Sequence, residues 1–127
     1  MIKDFIILNC IGKEDKIGLR IKNEFYIHEL EQKVNKNDHL ALNILNLLKK
    51  HKAILDSKFS IIVNSGPGSF SSIRTSFSVA KGLKISKKIN LYAFNNSDLR
   101  QFDLANIELL IAKGLIQNKL IKPIYLS

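Results

Sequence analysis

Three strand-forming segments open this chain, and the turns between them leave no room for a crossover. Residues 3–10 read as a first strand, 12–15 as a turn and 16–21 as a loosely alternating second strand. Residues 22–23 make another turn, and 24–31 a third strand in which Phe25, Tyr26 and Ile27 favour extended backbone. Parallel strands need a connection of about a dozen residues or more, so these three must form an antiparallel meander. With 127 residues in all, one compact domain is expected. Apolar residues at 46% and charged residues at 24% exclude a disordered or low-complexity chain.

The hydrophobic period then changes. Asn37 or Asp38 can cap a helix of about fourteen residues in which Leu40, Ile44, Leu47 and Leu48 recur at helical spacing, with Ala41 and Leu45 beside them. That stripe is wide enough to serve both a core and a partner. Residues 58–64 form a continuous apolar run, the signature of a buried central strand. A glycine–proline turn follows at 65–70. Ser71 or Ser72 then caps a second helix, with Ile73, Phe77, Ala80 and Leu83 on one face. Residues 89–94 read as a strand, and 87–90 and 95–98 as loops. Asp103 caps a third helix carrying Leu104, Ile107, Leu110, Ile111 and Leu115, and 122–126 read as a final strand, with Pro123 placing it at an edge or a strand start. The order βββαβα-β, then α-β, describes an α/β fold with one mixed sheet flanked by helices. It resembles a ribonuclease-H-like lobe, the building block of actin-like ATPases.

The sequence offers little catalytic machinery. Cys10 is the only cysteine, with apolar neighbours on one side, and reads as a packed strand residue in a reducing compartment. His28, His39 and His51 lack the i, i+3 or i, i+4 spacing of a helical metal motif. The acids Asp4, Glu14, Asp15, Glu24, Glu29 and Glu31 sit on the opening strands and turns, and the strand at 58–64 has none, which disfavours a two-metal nuclease. No apolar run reaches the length of a membrane helix, and the apolar core behind Lys3 and Asp4 is too short for a signal peptide, so a cytoplasmic location without membrane association is expected. The formal charge of +9 favours a polyanionic partner, yet the excess is nearly all scattered lysine, with arginine only at Arg20, Arg74 and Arg100. Heavy use of Lys, Ile and Asn is also what an A/T-rich genome produces.

The most informative stretch runs from Asn64 to Arg74, out of a buried strand and into a helix. Gly66 and Gly68 permit close backbone approach or positive φ, while the helix start and Arg74 could hold an anion. A tight strand-to-helix corner explains the same residues. The stretch has no Gly-Lys-Ser/Thr, no third glycine at Ser71 and no Gly-x-Ser-x-Gly around Ser69, which leaves Ser69 a loop hydrogen-bonder rather than a nucleophile.

Residues 65–83, SGPGSFSSIRTSFSVAKGL, resemble the signature of the TsaB (YeaZ) family, of the type Gly-Pro-Gly-Ser-Phe-Thr-Gly-Leu-Arg followed by Ala-x-Gly-Leu. Gly66, Pro67, Gly68, Ser69, Phe70, Arg74, Ala80, Gly82 and Leu83 match directly; Ser71 and Ile73 are conservative replacements, and Ser72 replaces glycine. The strand at 59–63 and the closing residues 123–126 are similar too. The first strand departs from the family, since Asn9-Cys10-Ile11 stands where an Asp-Thr-rich turn is usual. Family members usually have two lobes. The resemblance implies that residues 1–95 are the N-terminal lobe and 96–127 a remnant of the second, packed on the first as one domain.

The same resemblance implies a non-catalytic subunit. In that family TsaB supports TsaD, which transfers a threonylcarbamoyl group to an adenosine beside the tRNA anticodon and holds the nucleotide and metal; the ATPase TsaE joins them. This chain would then need no cofactor or metal of its own and would meet tRNA through the complex. The family's first two helices bundle with those of TsaD or of a second TsaB, which assigns Leu40, Ile44, Leu47, Leu48, Ile73 and Phe77 to a heterodimer or homodimer interface. Gly66, Pro67, Gly68, Ser69, Phe70 and Arg74 become a structural loop or a vestigial anion site. Two other readings compete: a small basic RNA-binding domain acting without TsaD, and an enzyme, either peptidase or nuclease.

Overall fold

The computed structural model describes residues 2–30 and 36–118, with the backbone alone for 36–38. The meander forms as the short turns require. Strand β1 (Asp4–Asn9) pairs antiparallel with β2 (Lys16–Ile21), and β2 with β3 (Glu24–Glu29), which sets Ile6 opposite Leu19 and Leu19 opposite Tyr26. Lys22 and Asn23 both adopt left-handed backbone, the conformation that lets a two-residue turn follow the twist of its strands. Helix α1 (Lys36–Lys50) leads to β4 (Phe59–Asn64), parallel to β1 and buried at every residue. Helix α2 (Phe70–Lys87) then leads to β5 (Asn90–Phe94), parallel to β4, completing the order β3-β2-β1-β4-β5.

Alternation along the strands divides the core in two. On one face Ile6, Leu8, Leu19, Ile61 and Val63 meet both α1 and α2. On the other, Phe5, Ile7, Ile62 and Phe94 meet Ile107 and Leu110 of α3 (Leu104–Ala112). Cover on both faces is why residues 58–64 read as a continuous apolar run. Asp103 caps α3 as expected, its Oδ1 accepting from the Asn106 backbone N–H at 2.8 Å. Beyond α3, Gln117 bridges Ala93 antiparallel on the free edge of β5. The strand expected at 122–126, with Pro123, lies outside the described residues. Among the described residues no helix is long and apolar enough to cross a membrane.

Several expectations are corrected. The third strand ends at Glu29, with Glu31 outside the described residues. Cys10 is buried but lies one residue past β1. Asn37 and Asp38 fall inside α1. Ser69, not Ser71 or Ser72, is the N-cap of α2: its carbonyl already accepts from Ile73 N–H at 3.0 Å, so the helix resumes directly after the glycine turn. Leu115 lies past α3 and is 40% exposed.

The largest correction concerns the interface residues. Leu40, Ile44, Leu48, Ile73 and Phe77 are all buried in this chain's own core, and Leu47 is half-buried against it. A 3.6-residue period marks the face a helix buries, so it selected core residues. The apolar side chains that α1 leaves in solvent are off that period: Leu42 at 58% and Leu45 at 50% exposure.

Candidate functional site

Strands β1, β4 and β5 run in one direction, so their carboxyl ends gather three loops at one end of the sheet. Parallel sheets place ligands at such ends. Here the loops are joined by a buried amide. Asn64 Nδ2 donates to Asn9 Oδ1 at 2.7 Å and to Asn96 Oδ1 at 2.9 Å, while Asn64 Oδ1 accepts from Gly66 N–H at 2.9 Å. Ser65 adds a second tie, its Oγ and its N–H both donating to the Phe94 carbonyl at 2.8 Å. Gly66 closes the ring by accepting from Asn96 N–H at 2.9 Å. Sequence reading missed this cluster, although an asparagine at or just past the end of each of the three strands was its visible signal.

The signature loop packs on the loop after β1. Ser69 N–H donates to the Ile11 carbonyl at 2.8 Å. A Cβ on Gly68 would stand 2.6 Å from Ile11 Cβ and 2.8 Å from its carbonyl oxygen. A Cβ on Gly12, whose φ is +109°, would stand 2.6 Å from Ser69 Cβ. Gly66 also has positive φ, at +98°, and the Gly66–Pro67 peptide is cis. These glycines therefore serve close loop-on-loop packing and turn geometry. The N–H groups of Gly66 and Ser69 are spent inside the protein. Arg74 lies outside, its guanidinium 5.9 Å from the centre of the exposed Phe70 ring. The structure thus brings Gly66, Pro67, Gly68 and Ser69 to the loop contact and leaves Phe70 and Arg74 on the outer face of α2.

Among the described residues no nucleophile is activated at this end. Ser69 Oγ faces Ser71 Oγ at 3.3 Å, and hydroxyls do not serve each other as bases. Burial, reinforced by the nearby Asp15 charge, pushes the Cys10 thiol well above its usual 9.0, only partly offset by a hydrogen bond with Ser76. Such a thiol stays protonated and inert. Among the described residues no group of three or more His, Cys, Asp and Glu could hold a metal ion. His51 stacks on Tyr26, with ring centres 3.8 Å apart, and His39 accepts from Asn43 through its carbonyl at 2.8 Å. An open cavity of about 490 Å³ lies beside the amide cluster, where Lys13, Lys16 and Arg100 stand with Asn9, Asn96 and Glu14.

A second hollow, about 220 Å³ and almost wholly apolar, lies between α1 and α2 on the solvent side. Ala41, Leu45, Val79 and Gly82 line it. A Cβ on Gly82 would meet nothing within 4 Å, so the backbone of α2 is open to close approach there.

The chain is 34% identical over 86 residues to the tRNA threonylcarbamoyladenosine biosynthesis protein TsaB of Buchnera aphidicola subsp. Acyrthosiphon pisum, a match covering 66% of this chain and 39% of that one. Its fold matches YeaZ from Pseudomonas aeruginosa with a TM-score of 0.66 at 19% identity, covering 88% of this chain and 50% of the other. In sequence and in fold the chain is similar to the TsaB/YeaZ family. A further solved structure, described as an uncharacterized protein with similarity to peptidase YeaZ from Pseudomonas aeruginosa, gives 0.63 over the same shares. At 19% identity these two likenesses show the shared ribonuclease-H-like α/β fold and nothing more. No family model matches the chain. The chain spans about two-fifths of the length of this curated relative and half of the solved chains.

Proposed function

We propose that this chain is a non-catalytic scaffold subunit that binds and activates TsaD for threonylcarbamoylation of the adenosine next to the tRNA anticodon. The observation that carries this reading is the apolar hollow between α1 and α2. It joins Ala41, Leu45, Val79 and the bare backbone at Gly82, with Leu42 exposed nearby. A pair of packed helices with exposed leucines and a glycine gap is complementary to a second helical pair, the geometry of a four-helix interface. The inert Cys10 thiol and the internally spent signature loop support a scaffold rather than an enzyme. On this reading nucleotide and metal reside on TsaD, TsaE docks on the assembly, and the same helix face forms a homodimer when TsaD is absent.

The test is light scattering after size exclusion, with this chain alone and mixed with TsaD. Leu45→Asp and Gly82→Leu should stay folded by circular dichroism yet lose the mixed complex. Ile44→Asp should unfold instead, since it places a carboxylate in the core. A wild-type chain that forms no complex at micromolar concentration, or a folded Leu45→Asp that binds TsaD normally, would sink the proposal.

A further inference from the structure

The opposite end of the sheet carries a feature that the scaffold role does not use. Phe59 stands beside Asp4 and Asn90 beside Ser60, so Lys3, Lys58 and Lys88 precede neighbouring positions on β1, β4 and β5. Strands lie about 4.8 Å apart, which makes these lysines a row across the sheet end. Asn90 Nδ2 donates to the Ser57 carbonyl at 2.7 Å and ties the two loops together. The β2–β3 turn brings Lys22 to the same end, because Arg20 stands opposite Phe5. Helix α1 finishes there with Lys49 and Lys50, and α2 with Lys84 and Lys87. With Lys52, nine of the chain's 17 lysines gather at this end, all exposed, against Asp4, Glu24 and Asp56.

Two facts separate this cluster from general lysine richness. The first is segregation. Among the described residues at the carboxyl end, Lys13, Lys16, Arg74 and Arg100 mix with Glu14, Asp15, Glu29, Asp98 and Asp103, so charge is balanced among them. The second is backbone cost. Lys22, Lys52 and Lys88 all sit at left-handed φ, at 52°, 54° and 57°, where glycine or asparagine is the unstrained choice, whereas the carboxyl end has one such charged residue among those described, Glu14 at 50°. Helix dipoles account for Lys49, Lys50, Lys84 and Lys87 and also favour Lys88 at the α2 C-cap, but not Lys22 on the β2–β3 turn.

We infer that the amino-end lysine surface docks directly on the phosphate backbone of RNA. With nine lysines beside the single Arg20, the surface holds phosphates without reading bases, so it positions an RNA rather than selecting a sequence. Membrane lipid is the weaker match, because the large apolar residues exposed at this end, Ile54 and Ile85, lie on separate elements, and interfacial helices need a continuous apolar face. The choice of RNA among polyanions rests on the tRNA reading above; the surface itself does not.

The test is fluorescence anisotropy of labelled tRNA with this chain alone, from about 50 to 200 mM salt. The variant Lys52→Gly/Lys58→Gln/Lys88→Gly removes three charges, and its glycines suit the left-handed positions, so it should fold at least as well as wild type. Binding should weaken about tenfold or more, and the log–log salt slope should fall by about 3. Lys13→Gln/Lys16→Gln, at the other end, should change neither. Equal losses from both variants would show diffuse attraction and overturn the inference. So would unchanged binding by the triple variant, or binding of anionic vesicles without tRNA. The same variants run against TsaD by light scattering keep the two proposals apart, because the triple variant leaves the α1–α2 hollow intact.

Discussion

At the carboxyl end of the sheet, glycines let loops touch and one buried amide joins three of them; at the amino end, lysines occupy left-handed positions that glycine would suit better. Charge is mixed at the first end and overwhelmingly positive at the second. The difference separates two kinds of constraint. Tight packing fixes residue identity through sterics, whereas an exposed charged surface tolerates strain without any packing reward.

Substitutions involving glycine should therefore have opposite signs at the two ends. Gly68→Ala is expected to cost the most, about 2–3 kcal/mol, because the new methyl meets the Ile11 backbone carbonyl and cannot be relieved by a rotamer change. Chemical denaturation measures this, and a loss below about 0.5 kcal/mol would show that the loop contact is slack. Asn64→Ala comes next, at about 2 kcal/mol, since it strands the Gly66 N–H and removes the donor to Asn9 and Asn96. Asn64→Ser should recover only part of that loss.

Cys10 gives a pH test of the same packed end. Its folded-state pKa is raised, so above pH 9 the unfolded thiol loses its proton while the folded one keeps it. The native state then binds more protons, and stability must fall as pH rises, by about 1.4 kcal/mol per unit. Cys10→Ala should remove that part of the slope, and an identical profile in both proteins would mean that the thiol is hydrated. The smallest effect belongs to the lysine end. Lys88→Gly at the α2 C-cap should stabilise by about 0.5–1 kcal/mol, visible as a higher melting temperature. A loss of stability there would show that Lys88 holds a structural contact and would erase the contrast.

Much of the fold was legible because local rules and global fold agree. Two-to-four-residue turns forced the meander, Asp103 announced its helix, and the run at 58–64 announced a strand covered on both faces. The site was less legible. Gly68 stood out, but its partner, Ile11, lies more than fifty residues away, and no local pattern links the two. Leu40 is buried in the core, and Ile44, also buried, reaches the floor of the α1–α2 hollow, for a related reason. Amphipathic spacing shows which helix face is apolar but not whether sheet or partner covers it. Ser69 displaced Ser71 and Ser72 as the cap because a tertiary bond to Ile11 set where the helix begins.

The sequence by itself determined the order of elements, the direction of each strand and the family signature, since these follow from turn length, hydrophobic period and residue identity. Tertiary structure decided which side chains remain outside. Only the packed sheet shows that Leu45, rather than Ile44, faces solvent, that asparagines from β1, β4 and the loop after β5 meet at one amide, and that scattered lysines converge on one end. Strand register and helix direction bring these residues together, and neither is a property of any single segment.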